Sequence, residues 1–194
     1  MKILNLALCL GLLTCAANAL SVGDSAYSVA VKNISLSADL SDSVGRLMPT
    51  NEIKIIEADD KKVKFSLEGY QSAKAQNIIY FTDKARIISV AFSKQAKFDA
   101  EVLENLGEYN KVKITAYTSP DALETDLKAI FSTAKKNHEE NCGTCHPLHR
   151  GETQVANRWP ALIKSMQSRT PLSQDEIWVI TQYLQKHSKD INVD

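Results

Sequence analysis

An α+β chain is what the sequence predicts: a signal segment over residues 1–19, a small antiparallel β-barrel over 20–118 and an all-α domain over 119–194. Three observations carry this reading. Apolar and polar residues alternate through much of residues 27–117, and period two marks strands with one buried face. After Ser119-Pro120 the spacing of apolar residues becomes helical. The first residues form a short apolar run that ends in small side chains.

The elements follow in order. Lys2 precedes an apolar run over 3–13, and Ala17-Asn18-Ala19 fits a small-residue cleavage site. The run is too short to cross a bilayer, so it reads as a secretory signal cleaved after Ala19. A lipoprotein reading through Cys15 would need Thr14 where a smaller residue is usual. Strands are expected at 27–31, 52–58, 61–67, 77–82, 86–92 and 111–117, with a tight hairpin at Asp59-Asp60. Phe98, Val102, Leu103 and Leu106 have helical spacing, and Gly107 would end that short helix. The sum is a twisted antiparallel sheet, partly closed as a barrel.

Beyond the break, Ser119 can cap and Pro120 can open a helix. Leu123, Leu127, Ile130, Phe131 and Ala134 form its apolar stripe. A second helix is expected to start at 157–160 and to carry Trp159, Leu162, Ile163 and Met166 on one face. A third begins at Ser173, where Ser173 and Glu176 form a capping box, and Ile177, Ile180 and Leu184 are its buried stripe.

Composition excludes some functions. The chain of 194 residues has 23 basic and 23 acidic residues, which argues against nucleic acid as a partner. The strand region has no histidine and no cysteine, and no paired-carboxylate signature for catalysis. Of four cysteines, Cys9 and Cys15 would leave with the signal, so only Cys142 and Cys145 would remain.

Those two carry the chemistry. Cys142-Gly143-Thr144-Cys145-His146 is a C-x-x-C-H sequence, the attachment pattern of c-type haem. Each thiol can form a thioether with a haem vinyl group, and the adjacent His146 can ligate the iron as proximal ligand. A redox dithiol would want a strand leading into the motif. A zinc site would want a second ligand pair, and none follows. A structural disulfide stays open as a chance match. Haem attachment agrees best with an exported chain. The expected cofactor is therefore haem c, one per chain, covalently attached, in a soluble periplasmic protein.

Met166 is the expected distal iron ligand. It lies far enough past His146 for the chain to round the haem edge, and a thioether suits low-spin iron. Trp159 and Ile163 would wall the pocket. The alternative for Met166 is a core-filling role. His138, His149 and His187 read as surface histidines. Helix, C-x-x-C-H, loop, methionine-bearing helix and closing helix together give the layout of a small cytochrome c domain.

Two resemblances add to this. Gly45-Arg46-Leu47-Met48-Pro49-Thr50, followed by residues 52–56, resembles the second strand and turn of bacterial SH3-like domains. That implies a domain that docks a partner, unless it only packs beside the haem domain. The run from Cys142 to His149, with Asn157-Arg158-Trp159-Pro160, Met166, Leu172-Ser173, Glu176 and Tyr183-Leu184, resembles the C-terminal haem domain of the pentahaem cytochrome of the trimethylamine N-oxide reductase system. The likeness reads strongest over 132–190. Those cytochromes carry four further haems in a membrane-anchored N-terminal domain, and this sequence has no matching C-x-x-C-H motifs. The resemblance implies a monomeric electron carrier. Its acceptor would be a periplasmic molybdopterin reductase and its donor a membrane quinol-oxidising cytochrome or complex. By charge alone, Lys135, Arg150, Arg158, Lys164 and Arg169 would either ring the haem edge and steer an acidic partner or form a solvated face. A haem enzyme with an open iron site, a haem-containing sensor, and a donor to a different periplasmic oxidoreductase are the alternatives.

Overall fold

The computed structural model describes residues 20–144 and 147–191. The expected signal peptide, with Cys9 and Cys15, lies outside the described residues, as do Cys145 and His146 of the C-x-x-C-H sequence. The strands are β1 (Ser25–Ser28), β2 (Lys32–Ile34), β3 (Gly45–Leu47), β4 (Glu52–Ala58), β5 (Val63–Ser72), β6 (Ala75–Tyr80), β7 (Ile88–Phe92), β8 (Ala100–Asn105), β9 (Tyr109–Thr118) and β10 (Leu123–Glu124). The helices are α1 (Leu127–Cys142), α2 (Trp159–Met166) and α3 (Gln174–Lys186), with short 3₁₀ turns at Gly151–Thr153, Ala156–Arg158 and Gln167–Arg169.

Strand β5 organises the sheet. One of its edges pairs with β9 from Val63 to Ser72. The other pairs with β4 near Val63–Ser66 and with β6 near Tyr70–Ser72. A strand that changes partners along its length bends the sheet. At the change stands Gly69, where a Cβ would lie 2.6 Å from Tyr80 O and 2.5 Å from Ile79 Cγ2. No larger residue fits that approach. The pairing runs β10-β1-β4-β5-β6-β7-β3-β2, with β9 on β5 and β8 on β9. A bridge between Ser35 and Tyr117 curls the sheet into a half-barrel.

Alternation fills its inside. Ile53 and Ile55, then Val63, Phe65 and Leu67, then Val112, Ile114 and Ala116 point into one core with Ile34, Leu47, Ile79, Val90 and Phe92. Each large side chain of this kind contributes about 1.5–3 kcal/mol relative to exposure. Phe92 stacks on Phe98 at 3.7 Å between centroids, closing one end.

The architecture corrects the expected fold class. Among the described residues the chain is mostly antiparallel β, ten strands in one sheet with three helices at the C-terminal end. It is not a small SH3-like barrel followed by an all-α cytochrome c domain. The reason is burial. Ile130, Ala134, Trp159, Ile163, Ile177, Val179, Ile180 and Leu184 form a second core that takes in Tyr27 and Val29 from the sheet side. A third cluster joins Ala85 and Ile87 to Ala156 and Ile191. Three short helices present too little apolar surface to close a core, so the sheet serves as their second layer.

Two local expectations also change. Residues 98–106 hold strand β8 rather than a helix. Leu103 is the extra residue of a bulge between the Val102–Val112 and Glu104–Lys111 pairs, and the bulge mimics helical spacing. The first helix starts at Leu127, not at Ser119. Val29 N donates to Ala122 O, and Lys32 Nζ donates to Ser119 Oγ. Those ties hold 119–122 to the sheet, Leu123–Glu124 pair with β1, and Asp126 caps the helix by accepting from Ala129 N at 3.0 Å.

Helix α3 seals the junction through a buried lysine. Lys186 Nζ donates to Thr50 O at 2.7 Å, Thr50 Oγ1 at 3.1 Å and Asn51 Oδ1 at 3.1 Å. It lies 4.4 Å from the centre of the Phe81 ring. Burial pulls its pKa from the ordinary 10.5 down to about 7. The unfolded chain keeps the ordinary value. Between about pH 7 and pH 10 the unfolded state therefore holds a proton that the native state lacks. Stability contributed here rises with pH across that window, by at most about 1.4 kcal/mol per pH unit. Urea unfolding from pH 6 to pH 10 should show that rise. Lys186→Met should flatten it, and Lys74→Met, at an exposed lysine, should leave it unchanged.

Candidate haem site

Helix α1 delivers the first thiol. It ends at Cys142, and Gly143 caps it with φ −87°. A Cβ on Gly143 would lie 2.8 Å from Glu139 O, so only glycine lets the chain leave the helix at that point without a shift. Cys142 is half-buried and free, and burial pushes its thiol pKa up.

The loop beyond folds back onto the closing helix. Gly151 packs against the backbone of His187, where a Cβ would stand 2.6 Å from His187 O. Gly151 O in turn accepts from Trp159 Nε1 at 3.3 Å. That contact sets Trp159, 2% exposed, at the start of α2, with Pro160 in the first turn. α2 buries Ile163 on the same face and ends at Met166, which is half-buried.

These pieces meet. A cavity of about 160 Å³ is walled by Cys142, Leu148, Trp159, Leu162, Ile163 and Met166, with His138, His149 and Ser165 completing it. The structure thus brings together Cys142, Trp159 and Met166 of the residues singled out from the sequence. A thiol, a thioether and an indole share one mostly apolar space. The thiol, the thioether and the apolar wall are of the kinds that hold a c-type haem. The residues that would complete the motif, Cys145 and His146, are outside the described set.

His138 was expected at the surface and is not there. It is 4% exposed, edge-on to Trp159 at 6.4 Å between ring centres. Burial lowers its pKa, which favours the neutral ring. The signal was present in the sequence: Ile130, Ala134, His138 and Cys142 recur at every fourth position, on one helix face. His187 lies half-buried against Phe131 and Tyr183, with ring centres at 5.0 Å and 4.3 Å, away from the cavity. His149 is exposed at the rim.

The basic residues do not act as one set. Lys135 pairs with Glu139 at 3.9 Å and Arg150 with Glu152 at 3.1 Å. Arg158, Lys164 and Arg169 are exposed. A second cleft, about 360 Å³, lies between α1, α3 and the backbone near Val29 and Glu124, and three of its four carboxylates already have work. Asp126 caps α1, Glu176 closes the capping box of α3, and Asp175 Oδ1 accepts from Val31 N.

A C-x-x-C-H sequence beside an apolar, sulfur-lined cavity defines a class, the c-type cytochromes, which are electron-transfer proteins rather than enzymes. The particular family is that of the TorC third cytochrome c domain, whose model matches residues 20–123, and the chain belongs to it. The matched residues cover the half-barrel and stop before α1.

The curated relatives extend further. The chain is 24% identical over 152 residues to the cytochrome c-type protein TorY of Haemophilus influenzae, covering 75% of this chain and 41% of that protein. It is 24% identical over 181 residues to the cytochrome c-type protein TorC of Escherichia coli, covering 90% and 46%. The chain therefore spans less than half the length of these relatives. No solved structure matches it. Among the described residues, no helix is long and apolar enough to cross a membrane.

Trp159 holds the site together, so its truncation is a direct check. Trp159→Ala should cost about 3–5 kcal/mol in urea unfolding. Trp159→Phe keeps most of the packing and should cost about 1–3 kcal/mol, mainly by leaving Gly151 O without its donor.

Proposed function

We infer that this chain is a periplasmic, monohaem c-type cytochrome that passes single electrons to a molybdopterin-containing reductase of trimethylamine N-oxide or dimethyl sulfoxide. Its electrons would come from a membrane quinol-oxidising cytochrome or complex. The observation that carries the reading is the convergence of Cys142, Trp159 and Met166 on one apolar cavity beside the C-x-x-C-H sequence. The relatives TorY and TorC are themselves named as c-type cytochromes.

Cys142 and Cys145 would hold haem c through two thioethers, with His146 as proximal and Met166 as distal iron ligand. Haem supplies reversible one-electron chemistry when bound, and the axial ligands tune its potential. The chain's own residues do the rest. Trp159, Leu162 and Ile163 keep water from the cavity. The neutral His138 ring fills the wall beside Cys142 without adding charge. Export would place haem attachment on the far side of the inner membrane, in agreement with the expected signal over 1–19.

Spectroscopy and mass separate the parts of this reading. The exported chain should carry one haem by mass, and Cys142→Ala with Cys145→Ala should be colourless. Met166→Leu should remain coloured, lose the weak long-wavelength sulfur-to-iron band of the ferric form, and show a lower reduction potential. The reduced protein should be re-oxidised by trimethylamine N-oxide only when the reductase is present. Re-oxidation without the reductase, or none with it, would rule out the proposed acceptor.

A further inference from the structure

The half-barrel has an edge, at β8, that no further strand covers among the described residues. Among the described residues β8 pairs only with β9, so its outer row of backbone N–H and C=O groups has no strand beside it. Its side chains are uncovered too. Val102 stands opposite Val112, which is fully buried and faces the core, yet Val102 is 56% exposed. Directly opposed residues share a face, so Val102 points along the inside of the half-barrel where no second layer covers it. Leu103 and Leu106 are each 42% exposed beside it. The hairpin is well formed, with Leu106 N donating to Tyr109 O at 2.9 Å and Gly107 at φ 82°.

The charges on the outer face follow a rule across the strands. Glu68 on β5 is in register with Lys113 on β9, and Lys113 is in register with Glu101 on β8. One row along, Lys111 on β9 opposes Glu104 on β8 and pairs with Glu68 at 3.0 Å. Sign alternates from strand to strand, and β8 ends the series on carboxylates. The inner face is apolar in the rows that alternate with these, with Leu67, Ile114 and Ala100 in one and Gly69, Val112 and Val102 in the other. A strand added beyond β8 would complete both patterns by presenting apolar side chains inward and cations outward.

A second copy does not satisfy this. Antiparallel pairing of β8 with itself about Val102 and Leu103 sets Glu101 against Glu104, and parallel pairing sets each glutamate beside its twin. Like charges directly opposed are destabilising, and charged edge residues of this kind guard against self-association. The geometry points to β8 as a docking edge for an extended segment of a partner protein in which apolar residues alternate with lysine or arginine, bound by strand addition. This stands apart from the haem reading, since no residue of the edge lines the cavity.

The test uses the full haem-bearing chain and two blocked hexapeptides, one alternating valine with lysine and the other valine with glutamate. Backbone amide spectra and amide exchange are followed during titration. The lysine peptide should shift the resonances of Ala100–Asn105 and slow exchange along β8. The glutamate peptide should bind about tenfold more weakly, since two cross-strand pairs change from attraction to repulsion. Glu101→Lys with Glu104→Lys alters only exposed side chains, and the same spectra confirm that it folds. In that variant the preference should reverse. Equal binding of both peptides, shifts confined to another edge, no change at β8, or a dimer joined through β8 in sedimentation would each overturn the proposal.

Discussion

The structure depends on α3 being buried on two sides at once. Its apolar stripe, Ile177, Ile180 and Leu184, faces the other helices. Its opposite side is polar and equally buried, with Gln182, Gln185 and Lys186 each 2–3% exposed. A buried polar side chain is tolerated only where it finds partners. Gln182 Nε2 donates to Ile88 O, Gln185 Nε2 to Ala156 O and Lys186 Nζ to Thr50 O. Each acceptor is a backbone carbonyl whose place is fixed by the sheet or by the loop before α2. The helix is thereby held in one rotation and one height, and the cavity between α1 and α2 inherits that position. Gln182 Oε1 is buried without a protein partner. The cost of that atom is accepted where the other half of the amide secures β7.

This arrangement explains which parts of the fold were legible in the sequence. The capping box of Ser173 and Glu176 acts within a few residues, and it is present as read. The strand alternations of β4, β5 and β9 were legible for the same reason. Nothing local marks Gln182, Gln185 and Lys186 as facing carbonyls of a distant strand rather than water, so the docking of α3 on the sheet was not legible. The misreading of β8 has a different origin: a one-residue bulge displaces the alternation, and the displaced pattern matches a helix. At 119–122 propensity favoured a helix start, yet ties to β1 and β2 override it and hold Ala122 at φ 52°. Tertiary contacts outweighed local preference in each case.

Part of the cavity lining was legible. Cys142, Trp159 and Met166 were singled out by residue type and spacing, and they share the cavity. His138 was read as a surface histidine, although the every-fourth-residue stripe of Ile130, Ala134 and Cys142 runs through it. The family match adds a second contrast. It falls on the half-barrel at 20–123, whereas the likeness seen in the sequence was read as strongest over 132–190. Sheet and cavity are nevertheless one packed body, since the helical core takes in Tyr27 and Val29 and α3 hydrogen-bonds to the sheet.

The electrostatics of the cavity follow from the same packing. Burial raises the pKa of the Cys142 thiol and lowers that of the His138 imidazole. Both shifts favour the uncharged form, because a charge in that space would lose its hydration without a counter-ion. Among the described residues, no carboxylate, lysine or arginine lines the wall. A hydrated ion or an anionic metabolite would therefore pay a desolvation cost that no group there offsets. The carboxylates of the helical segment stand instead at helix starts, as in Asp126 and Glu176, where backbone N–H groups and the helix dipole stabilise them. Charge is kept at the caps, and the space between α1 and α2 is left to neutral, polarisable donors.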